Sequence, residues 1–268
     1  MSRGKAIGAF FDIDGTLARE SMLIHHFKRL IKYGIIDEQE WMQRVRPLYR
    51  RYDKRYAEYD DYLDVVTAVY KEYLEGMDKS IIHFTADQVV DEYGDVVYKY
   101  TRERIEWHKN EGHKVFFVSG SPDFIIKKMA DRYDITDYCA TTYVTDDRGI
   151  FSSEIIPMWD SRSKEKTLKR FEEEYQLDMS RSYSYGDTNG DYSMLQMVGH
   201  PTAINPSFKL LSMIQQDYEL AIKIAIVVER KDVIYKFTSD VSAQNSMLFD
   251  ALTIHEPVRD FVDDWDIK

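Results

Sequence analysis

Two carboxylates, Asp12 and Asp14, stand two residues apart where the apolar run 6–11 gives way to Gly15-Thr16. Side chains at i and i+2 share one side of a strand, so the pair is expected at the carboxyl end of a buried strand, where open α/β sheets collect ligands. Such a pair reads as the front of a phosphoryl-transfer site. Three further stretches carry what that chemistry needs. Ser119-Gly120-Ser121-Pro122 ends the apolar run 116–118, and a hydroxyl beside free backbone N–H groups at a helix start makes an anion site. Ser163-Lys164-Glu165-Lys166 opens a helix expected to reach residue 175; a lysine there would bring a compact positive charge to a phosphate. In Gly186-Asp187-Thr188-Asn189-Gly190-Asp191 a short strand is followed by two carboxylates four residues apart. Mg²⁺ takes oxygen ligands from one or two carboxylates, a carbonyl and a substrate phosphate while keeping waters, so Asp187 can partner Asp12. Singly, these stretches are also an N-cap, a solvated lysine and an Asp-rich turn; together they place a phosphate site on four strand ends.

The elements that must position these groups follow from periodicity. Between residues 20 and 108 no Val/Ile-rich run appears and apolar positions recur at helical spacing. Helices are expected at 21–32, 37–51, 56–74 and 86–110, with Gly34, Gly76 and Gly112 as stops and Thr85 as an N-cap. After Gly112, strands and helices alternate through residue 204, which argues for a parallel sheet covered on both faces. Residues 142–156, centred on Asp147-Arg148-Gly149, are expected to form a hairpin. The chain therefore leaves the sheet just past Asp14 and returns some ninety residues later. A helical insert rooted there would cover the carboxylates, exclude water and choose the substrate.

Composition bounds the alternatives. The 268 residues are 44% hydrophobic and 14% aromatic, ample for an α/β core with an insert, and the net charge of −11 argues against a nucleic-acid surface. No run approaches the roughly 20 apolar residues needed to span a bilayer, and Met1-Ser2-Arg3-Gly4-Lys5 is followed by a strand rather than a leader; a cytoplasmic protein with no membrane partner is expected. The single cysteine, Cys139, excludes an intrachain disulfide.

Asp12-Ile13-Asp14-Gly15-Thr16, then Ser119, then Lys164, then Gly186-Asp187 with Asp191, taken in that order, resemble the four motifs of the haloacid dehalogenase superfamily, and within it the phosphoserine-phosphatase-like branch. The resemblance covers residues 5–206. It implies a Rossmann-like core of parallel sheet with helices on both faces, at 1–19 and 110–268, and an inserted α-helical bundle cap at 20–109. It also implies a Mg²⁺-dependent phosphatase acting on a small phosphorylated metabolite. By the resemblance Asp12 is the nucleophile, Asp14 the general acid and base, and Ser119, Gly120 and Lys164 the phosphate ligands. Mg²⁺ would lie among Asp12, the Asp14 carbonyl, Asp187 and Asp191. Lys166 is the alternative to Lys164, whose spacing to Leu168 fits the family pattern better. The second carboxylate, Asp14, separates a phosphatase from the true dehalogenases, whose halide leaving group needs no acid. A phosphotransferase on the same scaffold and a catalytically silent module that binds a phospho-ligand remain alternatives.

The chain departs from phosphoserine phosphatases, which generally show Ser-Gly-Gly-Phe at the second motif and Ser before the first-motif Thr. The cap must therefore select the substrate, and it holds two clues. One is the basic run Arg44, Arg46, Arg50, Arg51, Lys54 and Arg55, suited to a carboxylate or second phosphate; the other is Tyr49, Tyr52, Tyr56, Tyr59 and Tyr62, suited to caging a quaternary ammonium. Each also has a plain reading, as a solvated face and as bundle packing. Thr16 and Glu20 join the substrate-binding candidates, with Ser21 beside them. His25, His26, His83, His108 and His255 read as packing or surface residues. Beyond Pro206, the extension 207–268 is expected to hold a helix at 207–218 and a hairpin at 221–237, which either extends the sheet or mediates a homodimer.

Overall fold

The computed structural model describes residues 4–247. Its centre is an eight-stranded sheet in the order β4-β3-β2-β1-β5-β6-β7-β8. The strands are β1 (Gly8–Phe11), β2 (Lys114–Pro122), β3 (Asp137–Thr145), β4 (Phe151–Ile156), β5 (Tyr183–Gly186), β6 (His200–Ile204), β7 (Ala225–Arg230) and β8 (Val233–Phe237). The six from β3 to β7 run parallel, and β4 and β8 close the two edges antiparallel. The expected hairpins are both present: β3–β4 at Gly149, whose φ of +80° suits glycine, and β7–β8, which extends the sheet. Strand order runs outward in both directions from β1, so the crevice between β1 and β5 is the switch point at which such sheets bind ligands.

Alternation along β1 sends successive rings to opposite faces. Phe10 stacks on Phe116 at 5.1 Å, and Phe116 on Phe171 at 4.7 Å. Phe171 belongs to α8 (Ser161–Tyr175), which covers that face together with Met194 of α9 (Tyr192–Gln196). On the other face Phe11 stacks on Tyr185 at 4.3 Å, and the Tyr185 hydroxyl meets Nε2 of His108, at 2.9 Å, from a helix of the insert.

The insert between β1 and β2 holds α1 (Met22–Lys32), α2 (Glu38–Glu40), a π-turn at Trp41–Val45, α3 (Arg46–Asp53), α4 (Tyr59–Leu74), α5 (Lys79–Tyr93) and α6 (Lys99–Asn110). Two expectations are corrected. The helix placed at 37–51 is broken by the π-turn, with Pro47 in the first turn of α3, where its missing N–H is tolerated. The helix placed at 86–110 is two helices. Asp78, not Thr85, caps α5, its carboxylate accepting from the Ser80 N–H at 2.8 Å. Thr85 lies inside α5 and donates to the Ile82 carbonyl at 2.9 Å. The break after Tyr93 has a tertiary cause: Arg19 N–H donates to the Val96 carbonyl and Tyr98 N–H to the Leu17 carbonyl, pinning 96–98 in extended form against the loop behind β1. Beyond β2 lie α7 (Asp123–Tyr133), then α8 and α9, then α10 (Phe208–Gln216) and α11 (Tyr218–Ala221). The helix placed at 207–218 stops at Gln216, and Asp217 caps α11. Among the described residues no helix is long and apolar enough to cross a membrane. His255 lies outside the described residues.

Candidate active site

Asp12 follows β1 directly, and its backbone N–H donates to the Tyr185 carbonyl of β5 at 2.9 Å, which locks the nucleophile candidate into the switch-point crevice. Its carboxylate meets Nζ of Lys164 at 2.5 Å; the same ammonium lies 2.5 Å from Asp191. All three side chains are buried, Lys164 to 2% exposure, whereas Lys166, two residues on, is exposed. The alternative lysine thus points away from the site. Burial opposes the Lys164 charge, but Asp12 and Asp191 outweigh it and hold the ammonium protonated.

Asp191 spends its second oxygen on the loop. That oxygen accepts from the Asp187 N–H at 3.0 Å and the Thr188 N–H at 2.9 Å. Gly186 makes this possible, since a Cβ there would stand 2.4 Å from Cβ of Asp191. Asp187 accepts from the Thr16 hydroxyl at 2.9 Å, and it leans over Gly15, whose φ of +87° and missing Cβ leave the room it occupies. Carboxylate oxygens of Asp12, Asp187 and Asp191 lie within 4.8 Å of one another. Burial first, and then the neighbouring carboxylates, push the Asp12 and Asp187 carboxyls well above their ordinary range. A cation bound among these oxygens would offset that repulsion and hold the carboxylates ionised, and a hard oxygen donor set of this kind fits Mg²⁺.

Asp14 is turned elsewhere. One oxygen accepts from the Ser121 hydroxyl at 2.5 Å and the other from the Met22 N–H at 2.7 Å, in the first turn of α1. Burial raises its pKa while these two bonds oppose the rise. Ser121 is the residue the sequence patterns left without a role; it also accepts from the Leu23 N–H at 3.2 Å and so ties the second strand end to the insert. Its one signal was a hydroxyl two residues past Ser119. Ser119 itself is fully enclosed and accepts from the Ser121 N–H at 3.1 Å, shaping the turn that bares Gly120.

A cavity of about 480 Å³ opens on Asp12, Asp14, Gly120, Ser121 and Lys164, and α4 supplies its opposite wall through Tyr59, Asp60 and Asp64. A second lobe of about 850 Å³ shares Asp14, Ser21, Tyr59 and Asp60 with the first. Glu20 lines this larger lobe from an exposed position, 3.6 Å from His25 and 4.0 Å from Lys28. The basic run of the insert lines neither lobe, and Arg44 is spent on Glu72 at 2.6 Å. Tyr49, Tyr52, Tyr59 and Tyr62 do line the larger lobe, while Tyr56 is 73% exposed. The histidines stand apart: His26 bonds Tyr70 at 2.6 Å and Thr85 at 2.7 Å, His25 stacks on Tyr93, and His83 stacks on Phe124.

A parallel sheet with a buried lysine shared between acidic strand-end loops at its switch point is the architecture of a hydrolase that handles an anionic group. Residues 9–196 match the haloacid dehalogenase-like hydrolases, and the chain belongs to that family. It is 24% identical over 227 residues to a phosphoserine phosphatase of Mycobacterium tuberculosis, covering 81% of this chain and 72% of the relative. The fold is shared with a Bordetella pertussis Tohama I protein of unknown function, at TM-score 0.64, 19% identity and 80% and 96% coverage of the two chains. It is shared as well with a phosphoserine phosphatase solved as a phospho-aspartyl intermediate analogue, at TM-score 0.54, 18% identity and 86% and 96% coverage.

Proposed function

We propose that the chain is a Mg²⁺-dependent phosphatase that hydrolyses a small phosphomonoester through an aspartyl-phosphate on Asp12. One observation carries the reading: Asp12 and Asp14, two residues apart, have opposite settings, Asp12 against the buried Lys164 ammonium at 2.5 Å and Asp14 against the Ser121 hydroxyl at 2.5 Å. Lys164 aims Asp12 and opposes the burial that would neutralise it, and Asp14, whose bonds are to a neutral hydroxyl and an amide, is a carboxyl that burial disposes to carry a proton.

A carboxylate oxygen of Asp12 attacks phosphorus as the ester P–O bond breaks, and Asp14 gives its proton to the departing alkoxide. A water then attacks the same phosphorus, Asp14 takes its proton, and the Asp12–phosphorus bond breaks to release phosphate. Lys164 and the Gly120 N–H bind non-bridging oxygens, where transition-state charge is spread. Ser119, which is fully enclosed and lines neither lobe, supports them by fixing the turn. Asp12, Asp187 and the Asp14 carbonyl would hold Mg²⁺, with Asp191 outside because both its oxygens are engaged. The bound ion supplies positive charge that offsets repulsion between carboxylates and phosphate. Helices of 20–109 act as the cap: α4 faces the reacting groups, and Thr16 and Glu20 bound the substrate's path, Thr16 by holding Asp187.

Replacing Asp12 with Asn is expected to abolish phosphate release from p-nitrophenyl phosphate, and EDTA to do the same reversibly. Undiminished turnover in either case overturns the proposal. Release of p-nitrophenol with phosphate passed to an added alcohol would identify a transferase instead.

A further inference from the structure

The larger lobe adjoins Asp14, the group that would protonate the leaving alcohol, so its wall describes that alcohol. Four tyrosine rings from α3 and α4 form much of this wall. Tyr62 is the hub, with centroids 5.4 Å from Tyr49, 6.0 Å from Tyr52 and 6.1 Å from Tyr59. Carboxylates surround them: Glu20, Asp53, Glu58 and Asp60 line the same lobe. Of its cations, Arg19 is paired with Glu229 at 3.8 Å and Lys28 with Glu20 at 4.0 Å, and Lys209 stands on α10. The smaller lobe is more lopsided still, with Asp60, Asp64 and Asp160 beside the reacting carboxylates and, among the described residues, Lys164 as its one cation.

The Tyr62 side chain is 2% exposed and lines the lobe, yet among the described residues its hydroxyl has no hydrogen-bond partner. A buried unpaired hydroxyl costs roughly as much as a lost hydrogen bond, and a ligand that satisfies it removes that cost. Ring faces attract cations, and the attraction grows where water is excluded. A substrate carboxylate would meet no arginine or lysine from the basic run here, since none of those side chains reaches either lobe.

From these observations we infer that the alcohol portion of the substrate carries an ammonium group, held by the Tyr49-Tyr52-Tyr59-Tyr62 wall and the carboxylate of Asp60. The inference rests on the phosphatase reading for its chemistry and on the lobe alone for its selectivity. A primary ammonium would donate to the Tyr62 hydroxyl; a quaternary one would rely on ring faces and the acidic field.

Two measurements on the full chain test it. Titration calorimetry with choline and with dimethylbutanol, its uncharged carbon isostere, reads the lobe without chemistry. Choline is expected to bind at least about tenfold more tightly, with the ratio falling at high salt and in Asp60→Asn and Tyr62→Leu. Equal affinities, or binding of neither, overturn the inference. In parallel, kcat/KM for phosphocholine and phosphoethanolamine is expected to exceed that for dimethylbutyl phosphate by about tenfold or more, and the better of the two charged esters tells a quaternary from a primary ammonium. Hydrolysis of p-nitrophenyl phosphate with a charged-to-neutral ratio near one refutes the cation preference and leaves the phosphatase reading standing. Selective choline binding with no phosphate released from any ester does the reverse.

Discussion

Gly186→Ala isolates how the site depends on one missing methyl. A Cβ at 186 would stand 2.4 Å from Cβ of Asp191, where ordinary contact begins at 3.4 Å, so Asp191 must retreat by about 1 Å. The obstructing atom lies at the root of the Asp191 side chain and cannot swing aside alone. Its carboxylate carries the Lys164 pair at 2.5 Å and the Asp187 and Thr188 N–H bonds at 3.0 and 2.9 Å. Overpacking costs about 1–3 kcal/mol, and weakening hydrogen bonds to a charged acceptor adds to it. A loss of about 3 kcal/mol is expected, read as a Tm lower by about 6–12 °C in a protein of this size. Because Lys164 also holds Asp12, a displacement near 1 Å is expected to lower kcat/KM by at least about 100-fold. Gly112→Ala is the control: its φ of +72° imposes a backbone penalty, but a Cβ there meets nothing within 4 Å, so stability alone should fall. Thermal unfolding and p-nitrophenyl phosphate turnover measure both variants. Gly186→Ala with kcat/KM within threefold of the parent would refute the coupling of Asp191 to the proposed nucleophile Asp12.

Two further outcomes follow from the same contacts. Lys164→Met leaves Asp12 and Asp191 buried without their cation; a loss of about 3–5 kcal/mol in denaturant unfolding, together with loss of turnover, is expected, whereas exposed Lys166→Met should stay within about 0.5 kcal/mol, and equal effects would contradict the assignment. Burial holds the His26 pKa down to about 3 from an ordinary 6.5, so below pH 6.5 the unfolded chain takes a proton that the folded chain refuses. The His26 contribution is whole above pH 6.5 and falls by about 2 kcal/mol on going to pH 5; His26→Gln should flatten the unfolding free energy over that interval by this amount, and an unchanged slope would count against it.

The ends of β1 and β2 were legible because the apolar runs 6–11 and 116–118 give way to Asp12 and to Ser119-Gly120, a local signal. What Asp14 bonds was not: the Ser121 hydroxyl lies 107 residues away and reaches it only once β1 and β2 pair. The two duties of Asp191, one oxygen for Lys164 and one for its own loop, are likewise settled by the fold of the turn. In the insert, periodicity located α1 and α4 well. It ran through residues 94–98 because the pairing that breaks the helix there comes from Leu17 and Arg19. The sequence clusters the tyrosines, but which of them turn toward Asp14 depends on how α3 and α4 sit over the sheet, so the basic run and the aromatic wall could be separated only in three dimensions.

The position of β1 has a consequence for how the chain is made. Its apolar strand Ala9-Phe10-Phe11 is flanked on one side by β2 and on the other by β5, and the Gly8 N–H donates to the Ser182 hydroxyl, 174 residues later. At ribosomal rates of about 5–20 residues per second, roughly 9–35 s separate these two residues during synthesis. Through that interval one edge of the strand that leads to Asp12 has no partner to pair with, so the seat of the proposed nucleophile is begun long before it is completed, and the helices of the insert, which emerge next, are the segments at hand to shield that edge.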